Sequence, residues 1–232
     1  MTDFDDDLDE EAALEEFAER FVRDQSRGPC QLYLISPSDV TGSFPDRLKA
    51  ALDGGPVAAF QFRVKGVDQH EAARLAEPLL RICADRDVAF IVNDSASLAK
   101  RIGADGVHLG QDDDDPRDAR ALLGTQAQIG VTCHDSRHLA MEAGEAGADY
   151  VAFGAFFPTT TKEVRHQPVP AILSWWASLF EIPSVAIGGI TPENGRPLVE
   201  AGADFLAACS SVWNHEGGPA AAVAAFDAML RR

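Results

Sequence analysis

Short apolar runs alternate along the chain with longer segments whose apolar residues recur three and four positions apart, a repeated switch from strand to helix period. The first run spans 31–35, and residues 44–52 follow with helical spacing that stops at Gly54 and Gly55. A second strand is predicted over 59–64 and a long helix over 69–86. A third strand covers 88–92, after which Ser95 is placed to cap a helix bearing Leu98 and Ile102. Residues 106–110 form a fourth strand. Pro116, whose missing N–H is not needed in a first turn, opens a helix ending near Gly124. The fifth strand covers 128–133 and its helix 136–146. The sixth begins at Asp149 and must stop by Pro158, which can give no N–H to a ladder; a helix through Leu173, Trp176 and Leu179 follows. Strand seven (184–190), a helix ending near Gly202, strand eight (204–210) and an alanine-rich helix from Pro219 complete the series.

These strands are apolar throughout instead of alternating with polar residues, as a parallel sheet covered on both faces requires. Eight strand–helix units close naturally into a single (β/α)8 TIM barrel, assigned here to 29–232. Residues 1–28 precede it as an acidic extension, with Leu14, Phe17, Ala18 and Phe21 on one face of an amphipathic helix. Gly-Ala-Asp recurs before strands at 103–105, 147–149 and 202–204, each glycine where a helix needs a left-handed end.

Charge sharpens this division. The formal charge is −17, and residues 1–25 carry eleven acidic side chains against Arg20 and Arg23. Such a balance disfavours nucleic acid and anionic membrane as partners. The acidic start does not resemble a signal peptide and no apolar run is long enough for a membrane span, so a cytoplasmic protein is expected. Cys30, Cys83, Cys133 and Cys209 are scattered without a C-x-x-C pair, which predicts reduced thiols and no zinc site.

Barrels of this kind do their chemistry at the C-terminal ends of the strands. That rule gathers Gln61, Arg63 and Lys65 after strand two, Asn93 and Asp94 after strand three, and Asp112 and Asp113 after strand four. Thr132 and His134 follow strand five, Thr159, Thr161 and Lys162 strand six, Gly188 and Gly189 strand seven, and Ser210 strand eight. Gln61, Arg63 and Lys65 alternate, so an extended segment crowds two cations on one face, and such crowding requires an anion. Asp94 and Asp113 supply the oxygen ligands that suit Mg²⁺ together with substrate phosphates. Asp114 and Asp115 precede Pro116 and serve the next helix instead. The glycine pair and Ser210 suit a second, separate phosphate. His134 is open to an acid–base role or to a hydrogen-bonded structural one.

Taken together, 61–65, 91–94, 104–113, 129–134, 149–162 and 185–190 resemble thiamine-phosphate synthases, in family order over 31–232. The resemblance implies condensation of hydroxymethylpyrimidine diphosphate with a thiazole phosphate, releasing pyrophosphate. It implies that Gln61, Arg63, Lys65, Asn93, Thr132 and Lys162 hold the pyrimidine diphosphate, with Asp94 and Asp113 on Mg²⁺. It also implies that Thr159, Thr161, Gly189, Cys209 and Ser210 hold the thiazole phosphate, beside Gly188 of the glycine pair. Val64, Thr132 and Cys209 depart from the residues usual in the family, as does 163–176, although Thr132 keeps the hydroxyl of the usual serine. Two alternatives stay open: a related thiazole tautomerase using a histidine such as His134 without Mg²⁺, and a non-catalytic barrel that binds thiamine phosphates and regulates a partner through its acidic helix. A homo-oligomer is also left open.

Overall fold

The computed structural model describes residues 12–22, 25–159 and 166–231. The chain forms a closed, all-parallel barrel in sequential order β1 to β8, with β8 returning to pair with β1. The strands are β1 (Gln31–Ile35), β2 (Ala59–Phe62), β3 (Ala89–Asn93), β4 (Gly106–Leu109), β5 (Gln128–His134), β6 (Tyr150–Phe153), β7 (Ser184–Ile187) and β8 (Phe205–Ala208). After α1 (12–18) come α2 (Phe44–Asp53), α3 (Gln69–Ala84), α4 (Ala96–Ile102), α5 (Pro116–Leu123), α6 (Arg137–Glu145), α7 (Ala171–Leu179), α8 (Arg196–Glu200), α9 (Ser210–Trp213) and α10 (Gly218–Leu230).

The apolar strands are explained by two buried layers. Leu34, Phe60, Phe90, Val107, Ile129, Val151 and Leu206 face the helices, while Tyr33, Ala59, Ile91, Tyr150, Ala152, Val185 and Ala207 alternate with them and fill the barrel. Neither face meets water, so no polar alternation marks the strands. Caps fall where the sequence places them. Ser95 Oγ accepts from Leu98 N, and Asp115 Oδ1 from Arg117 N ahead of Pro116.

The Gly-Ala-Asp repeat has a second role besides helix termination. Gly103, Gly147 and Gly202 have φ of 68°, 89° and 108°. Each following aspartate turns back to accept an N–H from the first or second residue of an adjacent strand: Asp105 from Phe90 (2.7 Å), Asp149 from Ile129 (2.7 Å) and Asp204 from Ser184 (2.8 Å). These carboxylates close the bottom of the barrel. In the N-terminal segment, Leu14 is buried and the Phe21 ring lies so close over Gly202 that a Cβ there would be 2.9 Å from it. Arg27 grips Asp204 through Nη2 (2.9 Å) and Nε (3.2 Å). Residues 1–11, which carry most of the acidic run, lie outside the described residues.

Several strands are shorter than their apolar runs. At β2, Ser36 Oγ accepts from Arg63 N and donates to Arg63 O, replacing ladder bonds beyond Phe62. At β7, Gly188 and Gly189 have φ of 102° and 62°, which no strand adopts. After β8 the chain turns into α9, pinned by the Trp213 indole N–H on Ile35 O at 2.6 Å. All four cysteines are free thiols, and burial pushes Cys83 and Cys133 each up to about 12, so neither is poised as a thiolate. Among the described residues, no helix is long and apolar enough to cross a membrane.

Candidate active site

One corner of the rim collects charge of both signs. Asp94 follows β3 in the left-handed region (φ 68°), with its N–H on His108 O at 2.8 Å. Lys65 Nζ lies 3.8 Å from its carboxylate. Across from it, Asp113 Oδ2 is fixed by the N–H of Gly110 at 2.7 Å. Burial pushes the Asp94 carboxyl above the usual carboxylate range; repulsion from Asp113 and a hydrogen bond between the two add to this, and Lys65 and Arg63 pull it back. Thus Arg63, Lys65, Asp94 and Asp113 are brought together from three loops. A non-glycine residue held in this region stores strain, which persists where surrounding structure over-determines it.

Two of the expected ligands sit deeper. Gln61 is 3% exposed, inside the barrel, and donates to Tyr33 Oη at 3.1 Å. Thr132 Oγ1 is 2.8 Å from His108 Nε2, and its carbonyl accepts from Gln111 Nε2 at 2.6 Å. Asn93 is half-buried at the end of β3, level with His108.

On the opposite side, the loop after β6 packs against the end of β7. Phe156 N donates to Ile187 O and Phe157 N to Gly188 O, both at 3.1 Å. A Cβ on Gly189 would fall 2.4 Å from Pro158 O, so this glycine is required for the loops to meet as well as for its φ. Thr159 is half-buried on this loop; Thr161 and Lys162 lie outside the described residues. Cys209 Sγ lies 3.6 Å from Ser36 O, which ties the end of β8 to the clamp on Arg63. Ser210 begins α9, and Ser211 Oγ donates to Ile190 O at 2.7 Å, a structural bond. His134, at φ 55°, stacks on His166 with ring centroids 4.6 Å apart, and His166 pairs with Asp135 at 3.1 Å.

Sequence reasoning passed over Ser36, Tyr33, Tyr150 and His108. Ser36 and the tyrosines look like ordinary strand residues, and only register shows what they face. His108 does carry a signal, being a polar residue in the middle of an apolar strand. Among the described residues, no group of three or more His, Cys, Asp or Glu is placed to hold an ion. Two opposed carboxylates with cations beside them remain, a donor set suited to a hard cation that keeps waters and phosphate oxygens, not to zinc.

The model for thiamine monophosphate synthase matches residues 32–212. The chain belongs to the thiamine monophosphate synthase family. Relatives named thiamine-phosphate synthase include that of Erythrobacter litoralis, 68% identical over 85% of this chain and 94% of its own. That of Rhodospirillum centenum is 57% identical over 87% and 98%. Among solved structures, thiamine phosphate pyrophosphorylase from Pyrococcus furiosus superposes with a TM-score of 0.77 at 29% identity, covering 89% of this chain and 98% of that one. The match to the family model ends at Trp213's neighbour Val212, so it takes in every described rim residue named above.

Proposed function

We propose that the chain is a thiamine-phosphate synthase, a transferase that joins hydroxymethylpyrimidine diphosphate to a thiazole phosphate and releases pyrophosphate. The observation that carries this reading is the corner where Arg63 and Lys65 face Asp94 and Asp113, within a chain of this family. Two phosphorylated small molecules are its substrates. Mg²⁺ would be held by Asp94 and Asp113 and would neutralise charge on the diphosphate.

Arg63 and Lys65 bind and orient the diphosphate and stabilise the charge it gains as it leaves. The C–O bond of the pyrimidine methylene breaks with its electron pair going to pyrophosphate. The thiazole nitrogen then supplies the pair for the new C–N bond. No side chain is needed as a nucleophile, which accords with the inert thiols of Cys83 and Cys133. Thr159, Thr161, Gly188, Gly189, Cys209 and Ser210 are assigned to the thiazole phosphate, and Gln61, Asn93, Thr132 and Lys162, with Arg63 and Lys65, to the pyrimidine diphosphate, Thr132 and Lys162 beside its phosphates.

The test is direct. Purified protein given both phosphorylated halves should form thiamine phosphate with Mg²⁺ present and none after chelation. A folded protein that makes no product under either condition refutes the assignment; product that survives chelation refutes the metal. Lys162→Ala is expected to lower turnover about 100-fold through loss of a cation on the leaving group, with the melting temperature unchanged. Full activity in that variant removes Lys162 from the site.

A further inference from the structure

Five interior polar side chains form one hydrogen-bonded line across the barrel. Gln61 Nε2 lies 3.1 Å from Tyr33 Oη, and Tyr33 Oη 3.0 Å from Tyr150 Oη. Tyr150 Oη is 3.0 Å from His108 Nδ1, and His108 Nε2 2.8 Å from Thr132 Oγ1. Gln61, Tyr33, His108 and Tyr150 are all buried, in a layer otherwise built from Ile35, Ala59, Ile91, Ala152 and Val185. The line fits because β5 has a glycine beneath it. A Cβ on Gly130 would fall 1.9 Å from Tyr150 Cζ, so the phenol occupies the place of a side chain.

The line has a direction. An amide NH₂ can only donate, so Tyr33 Oη accepts from Gln61, and of the two directions open to the bond between the tyrosines the one that leaves no phenol hydrogen unpaired sends the Tyr33 hydrogen to Tyr150. Tyr150 in turn gives its hydrogen to His108 Nδ1. Reversing the middle bond would turn the Tyr33 hydrogen away from its acceptor inside an apolar layer, where an unmade bond is costly. Burial pushes the Tyr33 phenol up to about 12 and that of Tyr150 well above its ordinary value, so both keep their hydrogens at neutral pH.

We propose that His108 is a positioning residue, held with its proton on Nε2 by Tyr33 and Tyr150, that donates to Thr132 Oγ1 and so turns the threonine's own hydrogen outward to the diphosphate of the bound pyrimidine. A hydroxyl that has accepted a hydrogen bond donates more strongly, and one held in place needs no reorientation as charge develops on the leaving group. The inference rests on the reaction assigned above, which puts Thr132 beside the diphosphate.

Two measurements on the full chain decide it. Nitrogen-15 spectra of the histidine rings at neutral pH should show one neutral ring protonated at Nε2, absent from His108→Gln and losing its tautomer preference in Tyr150→Phe. An Nδ1–H ring or an imidazolium at that position overturns the proposal. In kinetics, His108→Gln sets an amide N–H near the place of Nε2 and should keep kcat within about threefold of the parent. His108→Asn, too short to reach Thr132, should lose about tenfold in kcat, with KM for the pyrimidine diphosphate moving less than about twofold. Equal losses in both variants, or a loss in KM alone, also overturn it. A parent protein that makes no product refutes the assigned reaction instead, while the nitrogen spectrum still decides the tautomer.

Discussion

Asp94→Asn is expected to lower Mg²⁺-dependent turnover about 100-fold or more while leaving the barrel as stable as before, or more so. Asparagine keeps the shape and tolerates the left-handed backbone (φ 68°) at least as well as aspartate. It loses only the negative charge, which is what a hard cation and the Asp113 partnership turn on. In the metal-free protein that charge opposes folding, since burial and Asp113 raise the Asp94 pKa above its ordinary value. A carboxyl with a raised folded pKa costs stability at pH above its unfolded value, and the cost disappears as pH falls below that value. The stability gain of the variant should therefore be seen in metal-free melts at pH 7 and should vanish in acid. A variant with parental turnover, or one that melts earlier at pH 7, contradicts the placement of Asp94.

The largest effect on stability is expected far from the rim, in Arg27→Met. Arg27 and Asp204 have side chains only 12% and 9% exposed, joined by two bonds. The guanidinium also donates to Phe180 O at 2.7 Å and Ala177 O at 3.3 Å. Methionine keeps most of the apolar volume and removes all four hydrogen bonds, leaving the buried Asp204 carboxylate without the Arg27 guanidinium. Breaking one side of such a pair costs about 3–5 kcal/mol, which for a domain of this size is a drop of roughly 6–20 °C in melting temperature. Arg120 and Asp149 make the comparable contact at 2.5 Å, but their side chains are 24% and 33% exposed. Loss of Arg120 should cost about 1 kcal/mol. Equal melting shifts in the two variants would show that burial does not set the difference.

Function was more legible than geometry. The eight apolar runs, their glycine ends and the caps at Ser95 and Asp115 follow from local rules, and those rules hold in the structure because nothing tertiary opposes them. Arg63, Lys65, Asp94 and Asp113 were legible as a group because a parallel barrel sends every strand end to one rim. The strand ends themselves were not. Whether β2 stops at Phe62 depends on Ser36, just past the end of the neighbouring β1, and whether β8 stops at Ala208 depends on an indole reaching Ile35.

The amino-acid sequence by itself determined the repeat, the barrel and which charges meet at its mouth, since periodicity and chain order fix these without reference to any one contact. Only the tertiary structure decided what the interior residues do. Gln61, Tyr33, Tyr150, His108 and Thr132 come from five strands up to 117 residues apart between the two tyrosines. Their alignment depends on register and on the space above Gly130, and hydrogen bonds act over about 3 Å whatever the distance along the chain.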